Sequence, residues 1–95
     1  MDEQFEWDAD KAESNLQKHS VSFDEAATVF FDPLSLTITD PLHSEEKDRF
    51  VTIGTSMQSR HLVIVHTERD EKIRIISARG ATPSERKKYE SKAER

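Results

Sequence analysis

The sequence predicts an α+β domain: two N-terminal helices, a four-stranded antiparallel sheet and a C-terminal helix. Three observations carry this prediction. Apolar residues up to Phe30 recur at helical spacing behind residues suited to helix caps. Over residues 34–79 the apolar period changes to two, in runs separated by polar turns. Thr82-Pro83-Ser84-Glu85 then combines an N-cap threonine, a proline whose missing N–H costs nothing, and the glutamate of a capping box.

Each element follows from its residues. Asp8 is a suitable N-cap, and Ala9, Ala12 and Leu16 recur at helical spacing behind it. Lys18 and His19 fall in the last turn, where cations complement the helix dipole, and the helix stops near Ser20. Ser22-Phe23-Asp24-Glu25 is a second capping box, with Val21 placed to staple onto Ala26. Phe23, Ala26, Ala27 and Phe30 form an amphipathic stripe, which Asp32-Pro33 ends.

Leu34, Leu36 and Ile38 alternate with Ser35, Thr37 and Thr39, the pattern of a half-buried strand. Residues 40–48 are a polar connection. Residues 49–55 form the second strand, with Val51 and Ile53 on one face. Residues 60–67 form the third, apolar on both faces and therefore central. After a turn at 69–71, residues 72–79 form the fourth, with Ile73, Ile75 and Ser77 on one face and Arg74, Ile76 and Ala78 on the other. The last helix, 83–93, is mostly charged; Tyr89 and Ala93 are almost its only apolar residues.

Ninety-five residues make one domain, 1–95. Hydrophobic content of 34% against 35% charge points to a modest core under a heavily charged exterior. With no cysteine there is neither a disulfide framework nor thiolate chemistry. The acidic start, Met1-Asp2-Glu3-Gln4-Phe5-Glu6, has no apolar run of the kind a secretion signal needs, and no stretch reaches membrane-spanning length. A cytoplasmic protein is the expectation. The net charge of −5 divides unevenly. Residues 1–59 hold 4 Lys and Arg against 13 Asp and Glu, or −9; residues 60–95 hold 10 against 6, or +4. Such a split is compatible with a basic end that meets a polyanion, and equally with a solvated charged surface.

The motifs of metal, covalent and nucleotide chemistry are missing. Asp40, His43, Glu45, Glu46 and Asp48 crowd one connection but lack the histidine spacing of a zinc site. There is no nucleophile elbow, phosphate-binding loop or dinucleotide fingerprint, so no metal and no cofactor is expected. What remains is arginine, histidine and carboxylate around a small sheet. Arg79 leads into a helix N-terminus, where backbone N–H groups and the dipole favour an anion; the competing reading is an ion pair with Glu85. Arg60 opens the third strand and Arg79 closes the fourth, so a hairpin would make them neighbours around a shared anion. His61 and His66 supply side chains of a type suited to proton transfer. Such a set could cleave RNA: a base takes the 2′-OH proton, the arginines stabilise the phosphate, and an acid protonates the leaving oxygen.

A broader pattern runs through the chain: Phe5-Glu6-Trp7-Asp8 with Lys11, Asn15, Lys18 and His19; Val21, Phe23, Glu25, Ala26, Val29 and Phe30; Asp32-Pro33; Ile53-Gly54 with Ser56; and Ile73-Arg74-Ile75-Ile76-Ser77-Ala78-Arg79 followed by Ala81-Thr82, Glu85-Arg86 and Tyr89. It resembles the BrnT family of bacterial toxins over nearly the whole length. The resemblance implies a RelE/ParE-like fold and an endoribonuclease that halts translation. It also implies a hetero-oligomer with a BrnA-like ribbon-helix-helix antitoxin, through which alone the pair would contact DNA. The family's recurrent basic residues fall on Lys18, His19, Arg60, Arg79 and Arg86. Ser20 stands where the family usually has glycine, and His61 where it usually has leucine.

On this reading Arg60 and Arg79 hold the phosphate. His61, His66 or Glu46 handle protons, and Lys18, His19, Arg74 and Arg86 position the RNA backbone. Two alternatives stay open: a catalytically weak module that acts in antitoxin complex assembly, and a topoisomerase poison.

Overall fold

The Asp8 carboxylate accepts hydrogen bonds from the N–H groups of Asp10 and Lys11 at 2.9 and 3.0 Å and opens helix α1, Ala9–His19. The structure is a computed structural model that describes residues 4–43 and 48–93. Helix α1 ends on Ser20, whose φ of 58° is left-handed and costs about 1 kcal/mol relative to glycine. Ser22 Oγ accepts the Glu25 N–H at 3.0 Å and starts α2, Phe23–Thr28, which runs into a 3₁₀ turn over Val29–Phe31. Of the predicted stripe of α2, Phe23 and Ala26 are buried and Ala27 and Phe30 partly buried against the core; Val29 is buried beside them. Helix α1 turns Asn15 and Ala12 inward, whereas Leu16 is half exposed.

Among the described residues five strands form one sheet: β1, Phe5–Glu6; β2, Leu36–Thr39; β3, Arg49–Thr55; β4, His61–Arg69; and β5, Lys72–Gly80. Their order is β1-β5-β4-β3-β2, and helix α3, Pro83–Ala93, follows. The expected four-stranded antiparallel sheet is corrected to a five-stranded mixed one. Phe5 and Glu6 pair in parallel with Ile73 and Arg74. A two-residue strand is too short to show a period; it is held by burial of Phe5 against Phe30 and Phe31. Strand β2 also starts later than expected, because Asp32 takes the Leu34 N–H into a turn.

Strand β4 is central, as its two apolar faces predict. The β4–β5 turn is Asp70-Glu71, both with positive φ, 53° and 66°, where Asn-Gly is the usual pair. The β4–β5 register then slips between Val65 and His66: Val65 faces Ser77 and His66 faces Ile75, so Ile76 is the extra residue of a bulge. The bulge changes the phase of β5. Ile75 and Ala78 both point into the core, and Ser77 and Arg79 point the other way. The expectation that Ser77 shares a face with Ile73 and Ile75 is therefore overturned.

The sheet thus has two distinct faces. On one, Leu62, Ile64, Ile75 and Ala78 pack against Val21, Phe23, Ala26 and Val29. Each large aliphatic or aromatic side chain buried there contributes about 1.5–3 kcal/mol. Gly54 permits this packing: a Cβ there would lie 2.9 Å from Val29 Cγ1 and 3.1 Å from an Asp32 carboxylate oxygen. The other face carries Leu36, Ile38, Val51, Ile53, Val63 and Val65, with Ser77 and Arg79 beside them. Among the described residues only α3 lies over it, at the end near Thr55 and His61. Among the described residues no helix is long and apolar enough to cross a membrane.

Candidate active site

Arg79 sits on the open face opposite Val63, and its side chain is 42% exposed. Its Nη1 and Nη2 donate to the two carboxylate oxygens of Glu85 at 2.7 and 2.8 Å. Glu85 is also fixed by its capping box: it accepts the Thr82 N–H at 2.9 Å, and Thr82 Oγ1 accepts the Glu85 N–H at 3.2 Å. The Arg79 bond holds the Glu85 carboxyl down at about 2; burial works against this, and the Thr82 contacts assist it. The ion pair with Glu85, the competing reading of Arg79, is thus present.

Arg60 lies elsewhere. The expectation that Arg60 and Arg79 are neighbours is overturned by the register, in which Arg79 faces Val63 and Leu62 faces Gly80. Arg60 also lies in phase with Leu62 and Ile64 and turns to the helical face, whereas Arg79 turns to the open one. Its Nε donates to Glu25 Oε2 at 2.8 Å, and Nη2 donates to Glu25 Oε1 and to the Ser20 carbonyl at 3.0 Å. Ser56 Oγ donates to the same Glu25 at 2.7 Å. Glu25 is 3% exposed, and the Arg60 bond keeps its carboxyl below the ordinary range despite burial. This cluster ties the start of β4 to the C-cap of α1 and the N-terminus of α2. The fork of Arg60 is engaged with Glu25 on the face away from Arg79.

The expected proton carriers separate as well. His66 is 1% exposed, set edge-on to Phe30 and stacked on Phe50. Its Nε2 lies 2.7 Å from Thr52 Oγ1, which lies 2.7 Å from Thr37 Oγ1. Burial pushes the His66 pKa down to about 4. A neutral core histidine cannot reach a substrate, and its expected role in proton transfer is corrected accordingly. Glu46 lies outside the described residues. His61 is partly exposed on the open face, edge-on to the Tyr89 ring at 5.7 Å.

Tyr89 is the buried anchor of α3. Its hydroxyl donates to Asp32 Oδ2 at 2.6 Å and lies 3.1 Å from Thr55 Oγ1. Asp32 Oδ2 also accepts the Thr55 N–H at 2.9 Å. Burial raises the Asp32 carboxyl, but these bonds and the nearby His61 outweigh it and leave the group below its usual value. Burial and the Asp32 bond push the Tyr89 phenol up. Sequence reasoning saw Asp32 only as a helix stop and Tyr89 only as an apolar contact. Pairing across 57 positions leaves no local trace.

The remaining basic residues lie apart. Arg74 is on the open face, 3.9 Å from Glu6, and Arg86 is exposed on α3, 3.7 Å from Glu90. Lys18 and His19 are exposed at the end of α1. With Lys11, Ser14 and Asn15 they line a shallow groove of about 210 Å³ against Ile76 and Ser77. Beneath it Asn15 acts as a latch: it accepts the Ala78 N–H at 3.0 Å and donates to the carbonyls of Val21 and Ala78 at 2.9 and 2.8 Å. No group of three or more His, Asp or Glu able to hold a metal ion occurs among the described residues.

Residues 7–85 match the model of a family described as the ribonuclease toxin BrnT of type II toxin-antitoxin systems. Among solved structures, the chain is similar to the Brucella abortus ribonuclease toxin BrnT, determined at 1.1 Å resolution, with a TM-score of 0.63. The two are 19% identical, over 80% of this chain and 92% of that one, a likeness of fold. No curated protein sequence matches the chain.

Proposed function

Because the chain belongs to the BrnT family of ribonuclease toxins of type II toxin-antitoxin systems, we propose that it is a metal-independent endoribonuclease that blocks translation, working on the open face of its sheet. The observation that carries this reading is Arg79, a partly exposed forked cation on the sheet face away from the helical core, already holding a carboxylate through both terminal nitrogens. In this reading the scissile phosphate replaces the Glu85 carboxylate. A base removes the 2′-OH proton, and the 2′-oxygen attacks the adjacent phosphorus. Arg79 neutralises the charge gathering on the non-bridging oxygens. The bond to the 5′-oxygen breaks and that oxygen takes a proton, leaving a 2′,3′-cyclic phosphate and a 5′-hydroxyl.

His61 is assigned to the proton steps, since it is partly exposed on the same face. Arg74, Arg86, Lys18 and His19 are assigned to the RNA backbone, and of these Lys18 and His19 line the groove against Ile76 and Ser77 of β5. The fold is read as RelE/ParE-like and the setting as the cytoplasm. The type II system supplies an antitoxin protein as partner, read as a BrnA-like ribbon-helix-helix protein that carries any contact with DNA.

One observation favours a second reading, an assembly module with little catalysis: Arg60 and Arg79 both already hold carboxylates. Expression of the chain in bacteria beside Arg79→Ala, with growth and primer extension of total RNA, separates the readings. New RNA 5′ ends that vanish in the variant are expected. Growth arrest with intact RNA would redirect the reading to a topoisomerase target, and normal growth with folded protein would favour the module.

A further inference from the structure

Trp7, Phe31, Phe5, Ala27, Thr28 and Asp24 line a pocket of about 190 Å³. It lies on the helical side of the sheet, since Phe5 belongs to the core with Phe23, Ala26 and Val29, whereas Arg79 turns to the open face. Phe5 is buried and makes the floor; Phe31 is 61% exposed and Trp7 partly exposed. Both outer rings are held by the core. Trp7 meets Phe23 edge-on at 5.9 Å, and Phe31 meets Phe5 edge-on at 6.1 Å. Two large aromatics fixed in place yet open to solvent are the usual anchors of a protein contact.

The lining narrows the occupant. Pockets for free small molecules run to about 300–1,000 Å³, so this one has the size for a side chain. The Thr28 hydroxyl is engaged within the fold: it donates to the Glu25 carbonyl at 2.6 Å and accepts the Met57 N–H at 2.9 Å. Asp24 carries the only charge among the described lining residues, and it makes no hydrogen bond or ion pair with any described residue. An unpaired carboxylate beside the rings repels phosphate, so this aromatic surface does not suit RNA. A guanidinium suits both features, because it stacks on an indole while its N–H groups donate to a carboxylate.

We propose that this pocket receives an arginine side chain of the antitoxin, stacked against Trp7 and Phe31 and paired with Asp24. The proposal rests on the reading of the chain as a toxin with a protein antitoxin. Its surface lies across the sheet from Arg79.

Trp7 is the only tryptophan of the chain, so its emission reports this pocket directly. Two probes are used: a capped tripeptide of arginine between two leucines, and the protein encoded by the adjoining open reading frame. The tripeptide is expected to change Trp7 emission saturably, and its citrulline counterpart to bind about tenfold more weakly. In the complex with the second protein, acrylamide quenching of Trp7 is expected to fall several-fold. Asp24→Asn removes the charge and keeps the shape, and Phe31→Ala removes one wall. Each is expected to weaken both ligands about tenfold, with RNA cleavage by the free chain unchanged. Equal binding of the arginine and citrulline peptides, or full affinity in folded Asp24→Asn, overturns the proposal. So does undiminished quenching in the complex. A dimer of the free chain that Phe31→Ala dissolves, or RNA that shields Trp7, gives the pocket another occupant and overturns it as well. A free chain that cleaves no RNA counts against the ribonuclease reading and leaves the peptide result to decide this one.

Discussion

Glu85 holds both terminal nitrogens of Arg79, at 2.7 and 2.8 Å, and so occupies the place that the proposed reading gives to the scissile phosphate. The two residues are six positions apart, joined by the turn that starts α3. In the proposed reading the carboxylate is an internal competitor for the phosphate.

Removing the competitor should therefore help. Glu85→Gln is expected to tighten RNA binding several-fold at low salt, while Arg79→Ala lowers cleavage by about 10²-fold or more. Filter binding and single-turnover cleavage measure the two effects. Weaker binding by a folded Glu85→Gln protein would show that the pair is purely structural. The pair also contributes stability, on the order of 1–2 kcal/mol once solvent screening of the partly exposed groups is allowed for. Because the folded Glu85 pKa lies below its ordinary value, at about 2, this contribution is complete above about pH 4.5 and is lost as the pH falls toward 2.

Arg60 should behave differently. Arg60→Ala leaves Glu25 buried without its cation and is expected to cost about 3–5 kcal/mol. Loss of activity should accompany loss of the thermal transition. Replacing both partners, Arg60→Met with Glu25→Leu, should recover much of the stability. A folded, stable Arg60→Ala protein without activity would restore Arg60 to the substrate site.

His66 makes the fold acid-sensitive. Its folded pKa is depressed to about 4 against an ordinary 6.5, so the unfolded chain takes up the proton first as the pH drops. Stability is expected to be full above about pH 6.5 and to fall by up to about 3 kcal/mol between 6.5 and 4. Denaturant midpoints across that range test this, and the slope should flatten in His66→Gln.

Gly54→Ala is expected to destabilise by about 1–3 kcal/mol, because the new methyl meets Val29 and the Asp32 carboxylate at 2.9 and 3.1 Å. Asp32 also holds Tyr89, so the Tyr89 ring and α3 should loosen together, visible as faster exchange along α3. A melting temperature equal to that of the unmodified chain would count against this packing.

The elements were legible in the sequence because their signals are local. Asp8, Ser22 and Thr82 cap helices that begin where predicted, and β3 and α3 span the expected residues. The α+β class follows from those signals. The ion pair of Arg79 with Glu85 was also within reach, since it closes over six positions across the strand-to-helix turn. Only the tertiary structure decided which groups meet across long separations. The inserted Ile76 rephases β5, placing Ser77 and Arg79 on the open face and Ala78 in the core. That step, with the face to which Arg60 turns, separates Arg60 from Arg79, whose strand-end positions alone suggested contact. Burial removed His66 from the surface, and the Asp32–Tyr89 bond joined residues that no periodicity connects. Caps and periods record the chain's local preferences; register slips and buried partners are set by packing, which no single stretch contains.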